Sequence, residues 1–141
     1  KRLYEGVNET LEDSHFIKLF ADKEAELDFK LTSHFLLIDA RENWRTMSPQ
    51  ERMDTLRILH EIQVDVYGLE NEAIIEFTDY DGSGFYHGNS RTIEMNEAYV
   101  TQTHNFEQAM MIMRHEGVHH FQYSLIDQFI DGTMRADHPL Y

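Results

Sequence analysis

Residues 106–131 constrain the fold of this chain more than any other stretch. Their apolar residues recur at helical spacing, which predicts one long helix with Asn105 as its N-cap. Apolar residues also occur elsewhere around its circumference, so we expect the helix to be buried on most sides at the centre of the domain. At 100° per residue, its main apolar side carries Phe106, Ala109, Met110, Met113, Gly117 and Phe121.

The same helix contains the pattern H-E-x-x-H at residues 115–119. Residues four apart lie on one helix face, so His115 and His119 can bind one zinc ion with Glu116 beside it as general base. His119 and Glu116 fall at about 40° and about 100° from His115, away from the main apolar side. His120, at about 140°, belongs to the apolar side, and we expect a structural role for it.

A strand, a connection and a helix with H-E-x-x-H resemble the zincin metallopeptidases over roughly residues 73–131. The resemblance implies an α+β, zincin-like fold and zinc-dependent hydrolysis of peptide bonds. It also implies that His115 and His119 are zinc ligands and that Glu116 is the catalytic base. In that family the strand before the helix borders the active-site cleft, which implies that residues 91–96 form an edge strand for an extended substrate.

The chain is also similar to the minimal zincin modules at the ends of bacterial polymorphic toxins. It shares their small size and helical N-terminal part, and its first residue is Lys rather than Met. This resemblance implies a toxin or effector domain that is secreted or delivered as part of a longer polypeptide. It also implies an inhibitor or immunity protein as a partner.

A catalytic zinc takes three protein ligands and keeps one position for water, so the motif needs a third ligand. The metzincin continuation is excluded because Gln122 and Leu125 occupy its glycine and third-histidine positions. On a continuous helix, Asp127 and Asp131 would lie about 12 and about 18 Å beyond His119, too far to reach the metal. The third ligand must therefore come from elsewhere in the chain.

Residues 132–138 extend to about 23 Å, enough to return to the motif, so His138 is the predicted third ligand. Asp137 is the second choice. The spacing is similar to that of the gluzincins, but they use Glu, and the chain has none after Glu116. The alternatives that remain open are a ligand beyond Tyr141, no third ligand, or His60, His87 or His104, although a structural role is more typical of His60. The candidate donors to the developing oxyanion are Tyr123, Tyr141 and His138.

The length of 141 residues indicates a single domain, residues 1–141, with a helical N-terminal part over residues 8–67. A break is expected near residues 28–33. Ser48-Pro49-Gln50-Glu51 has the residues of a capping box and starts a helix that Gly68 ends. The remainder is predicted as a small antiparallel sheet, with strands near 73–78 and 91–96, packed against the helix at 106–131.

Residues 79–84, D-Y-D-G-S-G, are similar to the first half of a calcium loop. The Glu required at its twelfth position is replaced by Ser90, and strands rather than helices are predicted on both sides. We therefore predict a β-turn or a hairpin loop for this segment.

The net charge of −14 is unsuited to nucleic acid, whose binding relies on Lys and Arg. It is typical of a solvated acidic surface and also favours a basic protein or peptide substrate. Without a long apolar run, no membrane partner is expected, and without cysteine, no disulfide. Two alternatives remain: an acidic interaction module in which H-E-x-x-H is coincidental, and a closed structural metal site.

Overall fold

The computed structural model describes residues 14–102 and 106–131, which form five helices, a short 3-10 turn and a three-stranded sheet. The class is α+β and mostly helical, as predicted. None of the described helices is long and apolar enough to cross a membrane. The strands are β1 Ile74–Thr78, β2 Gly84–His87 and β3 Thr92–Asn96. The helices are α1 Ser14–Ser33, α2 Phe35–Asn43, α3 Pro49–Tyr67, α4 Ala98–Thr101 and α5 Phe106–Asp131.

Helices α1 and α2 meet at His34, just beyond the interval predicted for the break. His34 Nδ1 accepts the Leu36 N–H at 3.2 Å and caps α2. The hydroxyls of Thr32 and Ser33 donate to carbonyl oxygens four residues earlier, at 2.8 and 2.6 Å. Such backward bonds by Ser and Thr often bend a helix, and here they fall in the last two residues of α1, just before the chain turns at His34.

Helix α3 begins and ends where the sequence predicts. Ser48 Oγ accepts the Glu51 N–H at 3.1 Å, and Glu51 Oε1 accepts the Ser48 N–H at 2.9 Å. This reciprocal pair satisfies two backbone donors at the helix start, and Pro49 fits the first helical position. Gly68 ends the helix with a φ of 70°, in the region that favours glycine.

The sheet is mixed, so the predicted antiparallel pairing of the two expected strands is wrong. Strands β1 and β3 are neighbours but run parallel. Strand β2 pairs antiparallel with the other side of β3, which gives the order β1-β3-β2. The predicted edge strand at 91–96 is therefore the central strand, and β2 and β1 form the edges of the described sheet.

Strand β2 is the source of this difference, because it was predicted to belong to the loop between the other two strands. It has only four residues and lies between Gly82 and Gly88, in a glycine-rich segment typical of turns. A parallel pair needs a long crossover between its strands, and residues 79–91 provide one that contains β2. The predicted turn at 79–84 ends in the first residue of β2.

Helix α5 packs against the sheet on one side and against α3 on the other. The sheet contributes Ile93 and Met95, both fully buried, as the predicted alternation of β3 requires. A Cβ atom on Gly117 would lie 1.6 Å from Gln63 Oε1, so only glycine permits this contact with α3. The predicted apolar side of α5 is confirmed, with Phe106, Ala109, Met113 and Phe121 buried.

Candidate metal centre

His115 and His119 lie one turn apart on α5, as the motif predicts. Their ring centroids are 5.0 Å apart, and the ring planes are 83° from parallel. Zinc–nitrogen bonds are about 2.0–2.1 Å long, so two imidazoles on one tetrahedral zinc have centroids about 5 Å apart. The pair therefore fits a shared zinc ion in spacing. His115 is exposed and His119 is half-buried, so the two rings are reached from the surface of the helix.

Glu116 lies between the two histidines in sequence and is only 7% exposed. Its carboxylate has no hydrogen bond or ion pair among the described residues. Trp44 Nε1 is the one fully buried side-chain nitrogen or oxygen without a partner in residues 14–102 and 106–131, so the Glu116 oxygens still touch solvent. A buried, unpaired carboxylate that reaches solvent can exchange a proton with a water molecule.

Gly84, the first residue of β2, lies against the stem of Glu116. A Cβ atom at Gly84 would lie 3.4 Å from Glu116 Cγ and 3.0 Å from Ile112 Cγ2. The helix therefore approaches the start of β2 closely, with Ile112 in the tightest contact and the stem of Glu116 at ordinary van der Waals distance. Sequence reasoning missed this contact because it assigned Gly84 to a turn.

His120 has the structural role that its place on the helix predicts. Its Nε2 donates to the Asn71 carbonyl oxygen at 2.8 Å, and its Nδ1 accepts the Tyr86 hydroxyl at 2.8 Å. Both ring nitrogens are used, so neither is free for a metal ion. Burial lowers the pKa of His120 below its ordinary value because the charged form loses hydration.

Two of the alternative third ligands are held by other contacts and do not meet the two histidines. His60 is buried, with Nε2 accepting the Ala73 N–H at 2.9 Å and Nδ1 3.3 Å from Gln63 Oε1. Burial lowers the pKa of His60 to about 4. His87 Nε2 lies 2.8 Å from Glu94 Oε1, on the face of the sheet opposite α5. The expected structural role of His60 is confirmed, and neither histidine joins the pair on α5.

The predicted third ligands, His138 and Asp137, lie outside the described residues, as do His104 and Tyr141. Asp127 is paired with the guanidinium of Arg91. Within residues 14–102 and 106–131, no group of three His, Asp or Glu side chains is placed to hold a metal ion. The described part of the chain thus brings two candidate ligands together on α5, while the candidate base, next to them in sequence, lies against the start of β2.

Tyr123, a candidate oxyanion donor, packs its ring against the β2–β3 connection. Its ring centroid is 5.4 Å from that of Tyr86, and the Arg91 guanidinium lies 5.3 Å above it. A Cβ atom on Gly88 would lie 2.4 Å from this ring. The ring therefore fixes α5 to the sheet, a packing role for this residue.

A cavity of 530 Å³ lies among α1, α2 and α3, away from the two histidines. Phe35 and Ile62 supply its apolar lining, and Glu61 and Asp65 supply carboxylates. Phe35 is 73% exposed beside it, so this cavity opens on an apolar surface. Periodicity alone did not reveal it, because it forms where three separate helices meet.

Comparison with known proteins gave no family model that matches the chain, and neither a curated protein nor a solved structure with significant similarity. The site is therefore defined by the chain's own geometry.

Proposed function

We propose that this chain is a zinc-dependent peptidase with a zincin-like fold. The observation that carries the proposal is the pair of imidazoles with the spacing of a shared zinc. Glu116, next to them in sequence, supports it with a carboxylate that is unpaired among the described residues. An unpaired carboxylate in contact with solvent is free to accept a proton from an attacking water molecule.

His115 and His119 would each hold the zinc ion through one ring nitrogen. His138, or Asp137 in its place, would complete the set from outside the described residues. A bound zinc ion polarises the scissile carbonyl and lowers the pKa of its water ligand toward about 7. Glu116 then accepts the proton of the attacking water on a carboxylate oxygen and delivers it to the nitrogen of the leaving amine.

The outer edge of β2 supports the proposal that the substrate is a peptide. Asn96 N–H donates to the Ser83 carbonyl at 3.0 Å, and hydrogen-bonded pairs alternate along an antiparallel ladder. Phe85 therefore directs its backbone groups toward β3, whereas Gly84 and Tyr86 direct theirs outward. A peptide that adds as a strand would bond to these outward groups next to Glu116.

The charge of the chain supports a basic protein or peptide as substrate, because 26 acidic residues outnumber 12 lysines and arginines. Nucleic acid and membrane are not proposed as partners. We also propose that the chain is a toxin or effector domain, secreted or delivered as part of a longer polypeptide. Its further partner would be an inhibitor or immunity protein. This proposal rests on the similarity to toxin modules described above.

The test compares bound zinc and proteolysis in the wild type and three variants. We expect one zinc per wild-type chain by elemental analysis and loss of that zinc in His119→Ala. Glu116→Gln should keep the zinc and lose about 100-fold to 10,000-fold in the cleavage rate of mixed basic and acidic proteins. Glu76→Gln, an exposed carboxylate on β1, is the matched control and should change neither measurement.

The outcomes separate the alternatives. If wild type and His119→Ala both bind negligible zinc, the proposal that the chain is a zinc protein is wrong. One zinc per chain without any cleavage would indicate a closed structural site. Equal cleavage by wild type and Glu116→Gln would show that Glu116 is not the base.

An acidic interaction module is the second candidate, and the 530 Å³ cavity favours it. Phe35 is exposed beside this cavity, and Glu61 supplies a carboxylate to its wall. Asp65, also on the wall, lies 3.6 Å from Lys30 Nζ. A cationic segment with one apolar anchor would suit such a surface. This candidate predicts negligible zinc in the wild type and no effect of Glu116→Gln on any activity.

A further inference from the structure

Gln122 contacts one of the two histidines of the motif. It lies three residues after His119 on α5, and its Oε1 is 3.2 Å from His119 Nδ1. An amide oxygen only accepts hydrogen bonds, so this contact requires the proton of the neutral ring to be on Nδ1. The lone pair of His119 Nε2 then remains free.

His119 differs in this respect from the other described histidines of α5. His120 uses both ring nitrogens, in bonds to Tyr86 and Asn71. His115 has no hydrogen-bond partner among the described residues, so nothing there fixes its ring proton. Among the described histidines of α5, only His119 has one ring nitrogen held by the protein and the other available.

A histidine that binds a metal usually donates its other N–H to an oxygen of the protein. That bond fixes both the tautomer and the direction of the ring, and its loss typically weakens metal binding about 10-fold to 100-fold. The Gln122 amide supplies such an oxygen from within the same helix. Gln122, which stands at the glycine position of the metzincin pattern, thus has a defined contact with a candidate zinc ligand.

We propose that Gln122 is a positioning residue, which holds His119 as the Nδ1–H tautomer and directs its Nε2 toward the zinc ion. This inference rests on the proposed function, because it assigns Gln122 a role at the same metal site. In the metal-free protein, the same contact with Gln122 should already hold His119 as the Nδ1–H tautomer.

The first experiment measures the tautomer in metal-free protein with ¹⁵N-labelled histidine. Long-range ¹H–¹⁵N correlations at about pH 8.5, above the usual pKa of imidazole, identify the protonated ring nitrogen. We expect Nδ1–H for His119 in wild type and a shift toward Nε2–H in Gln122→Leu. Gln122→Glu keeps an acceptor oxygen and should restore Nδ1–H.

The second experiment measures zinc affinity by competition with a chelator. Gln122→Leu should bind zinc about tenfold more weakly, and Gln122→Glu should bind at least as tightly as wild type. Gln108→Leu is the matched control, because the single hydrogen bond of this exposed glutamine among the described residues is to Tyr99, at 3.5 Å. It should leave both the tautomer and the affinity unchanged. Gln122→Met, similar in length and without the amide oxygen, replaces the leucine variant if that one fails to fold.

Two results would overturn the inference alone: an Nε2–H tautomer of His119 in the wild type, or equal zinc affinity of wild type and Gln122→Leu. Absence of zinc binding in the wild type would instead remove the proposed function, and the inference with it. The tautomer spectra are recorded without metal, so the two kinds of failure remain distinguishable.

Discussion

Gln63 holds α5 in place directly behind the motif. Its Nε2 donates to the Arg114 carbonyl oxygen at 2.9 Å, and its Oε1 lies 3.3 Å from His60 Nδ1. His60 Nε2 in turn accepts the Ala73 N–H at 2.9 Å. The absence of a side chain at Gly117 allows Gln63 to reach the helix backbone. One glycine thus permits a chain of buried hydrogen bonds from α5 through α3 to the residue before β1.

We expect Gly117→Ala to destabilise the protein by about 2 kcal/mol. Alanine in a helix interior is favoured over glycine by about 1 kcal/mol. Against this, the new methyl group would meet Gln63, which is fully buried and could move aside only by giving up its bonds to Arg114 and His60. Overpacking costs about 1–3 kcal/mol, and each buried polar group left without a partner costs about the same again. Urea unfolding of wild type and variant measures the difference.

The control for this prediction is a double-mutant cycle with Gln63→Ala. If the clash with Gln63 causes the loss, Gly117→Ala should cost much less in the Gln63→Ala background than in the wild type. An equal cost in both backgrounds would show that another contact of residue 117 is responsible.

At the scale of elements, α3 has the best-defined start, and we expect Ser48→Ala to cost about 1 kcal/mol. The substitution removes the acceptor for the Glu51 N–H and breaks the reciprocal pair. Ser33→Ala serves as control, because the Ser33 hydroxyl donates to a carbonyl at the end of α1, outside any cap. Thermal unfolding of both variants provides the comparison, and an equal loss would contradict a capping role.

The difference between local and long-range contacts explains how much of the fold could be predicted from the sequence. The ends of α3 depend on residues within one turn of Ser48 and Gly68, so local sequence determined them. The order of the strands depends on contacts between segments far apart in sequence. Gly84 looked like part of a turn because its partners, Glu116 and Ile112, lie about thirty residues later.

In the candidate site too, some features follow from the spacing of the motif and others depend on packing. The spacing of the motif placed His115 and His119 on one face of a predicted helix, and the structure has them there. The isolation of Glu116 and the contact of His119 with Gln122 depend on side-chain packing, which spacing does not determine. His138 and Asp137 lie outside the described residues and stay predictions.

For the whole molecule, α5 is tied to distant elements by polar contacts as well as by the core. Arg114 pairs with Asp28 at 2.6 Å and with Glu24 at 2.6 Å, both on α1. Glu24 also accepts the Tyr67 hydroxyl from α3. Burial of this hydroxyl and its bond to Glu24 raise the pKa of Tyr67.

The buried histidines make the stability of the whole protein depend on pH. The folded protein holds the pKa of His60 at about 4, against an ordinary value of 6.5, because burial disfavours the charged ring. Between these values the unfolded chain binds a proton that the folded chain does not. The contribution of His60 is therefore fully present above pH 6.5 and is lost as the pH falls toward 4.

We expect the free energy of unfolding to fall by about 2 kcal/mol through His60 alone between about pH 7.5 and about pH 5. The lowered pKa of His120 adds a further loss in the same direction. Carboxylates with ordinary pKa values near 4 stay largely ionised in this window, so relief of the repulsion among acidic groups offsets little of it. Urea unfolding across the window measures the slope, and His60→Gln, which cannot take up a proton, should flatten it. An unchanged slope in that variant would assign the pH dependence to other groups.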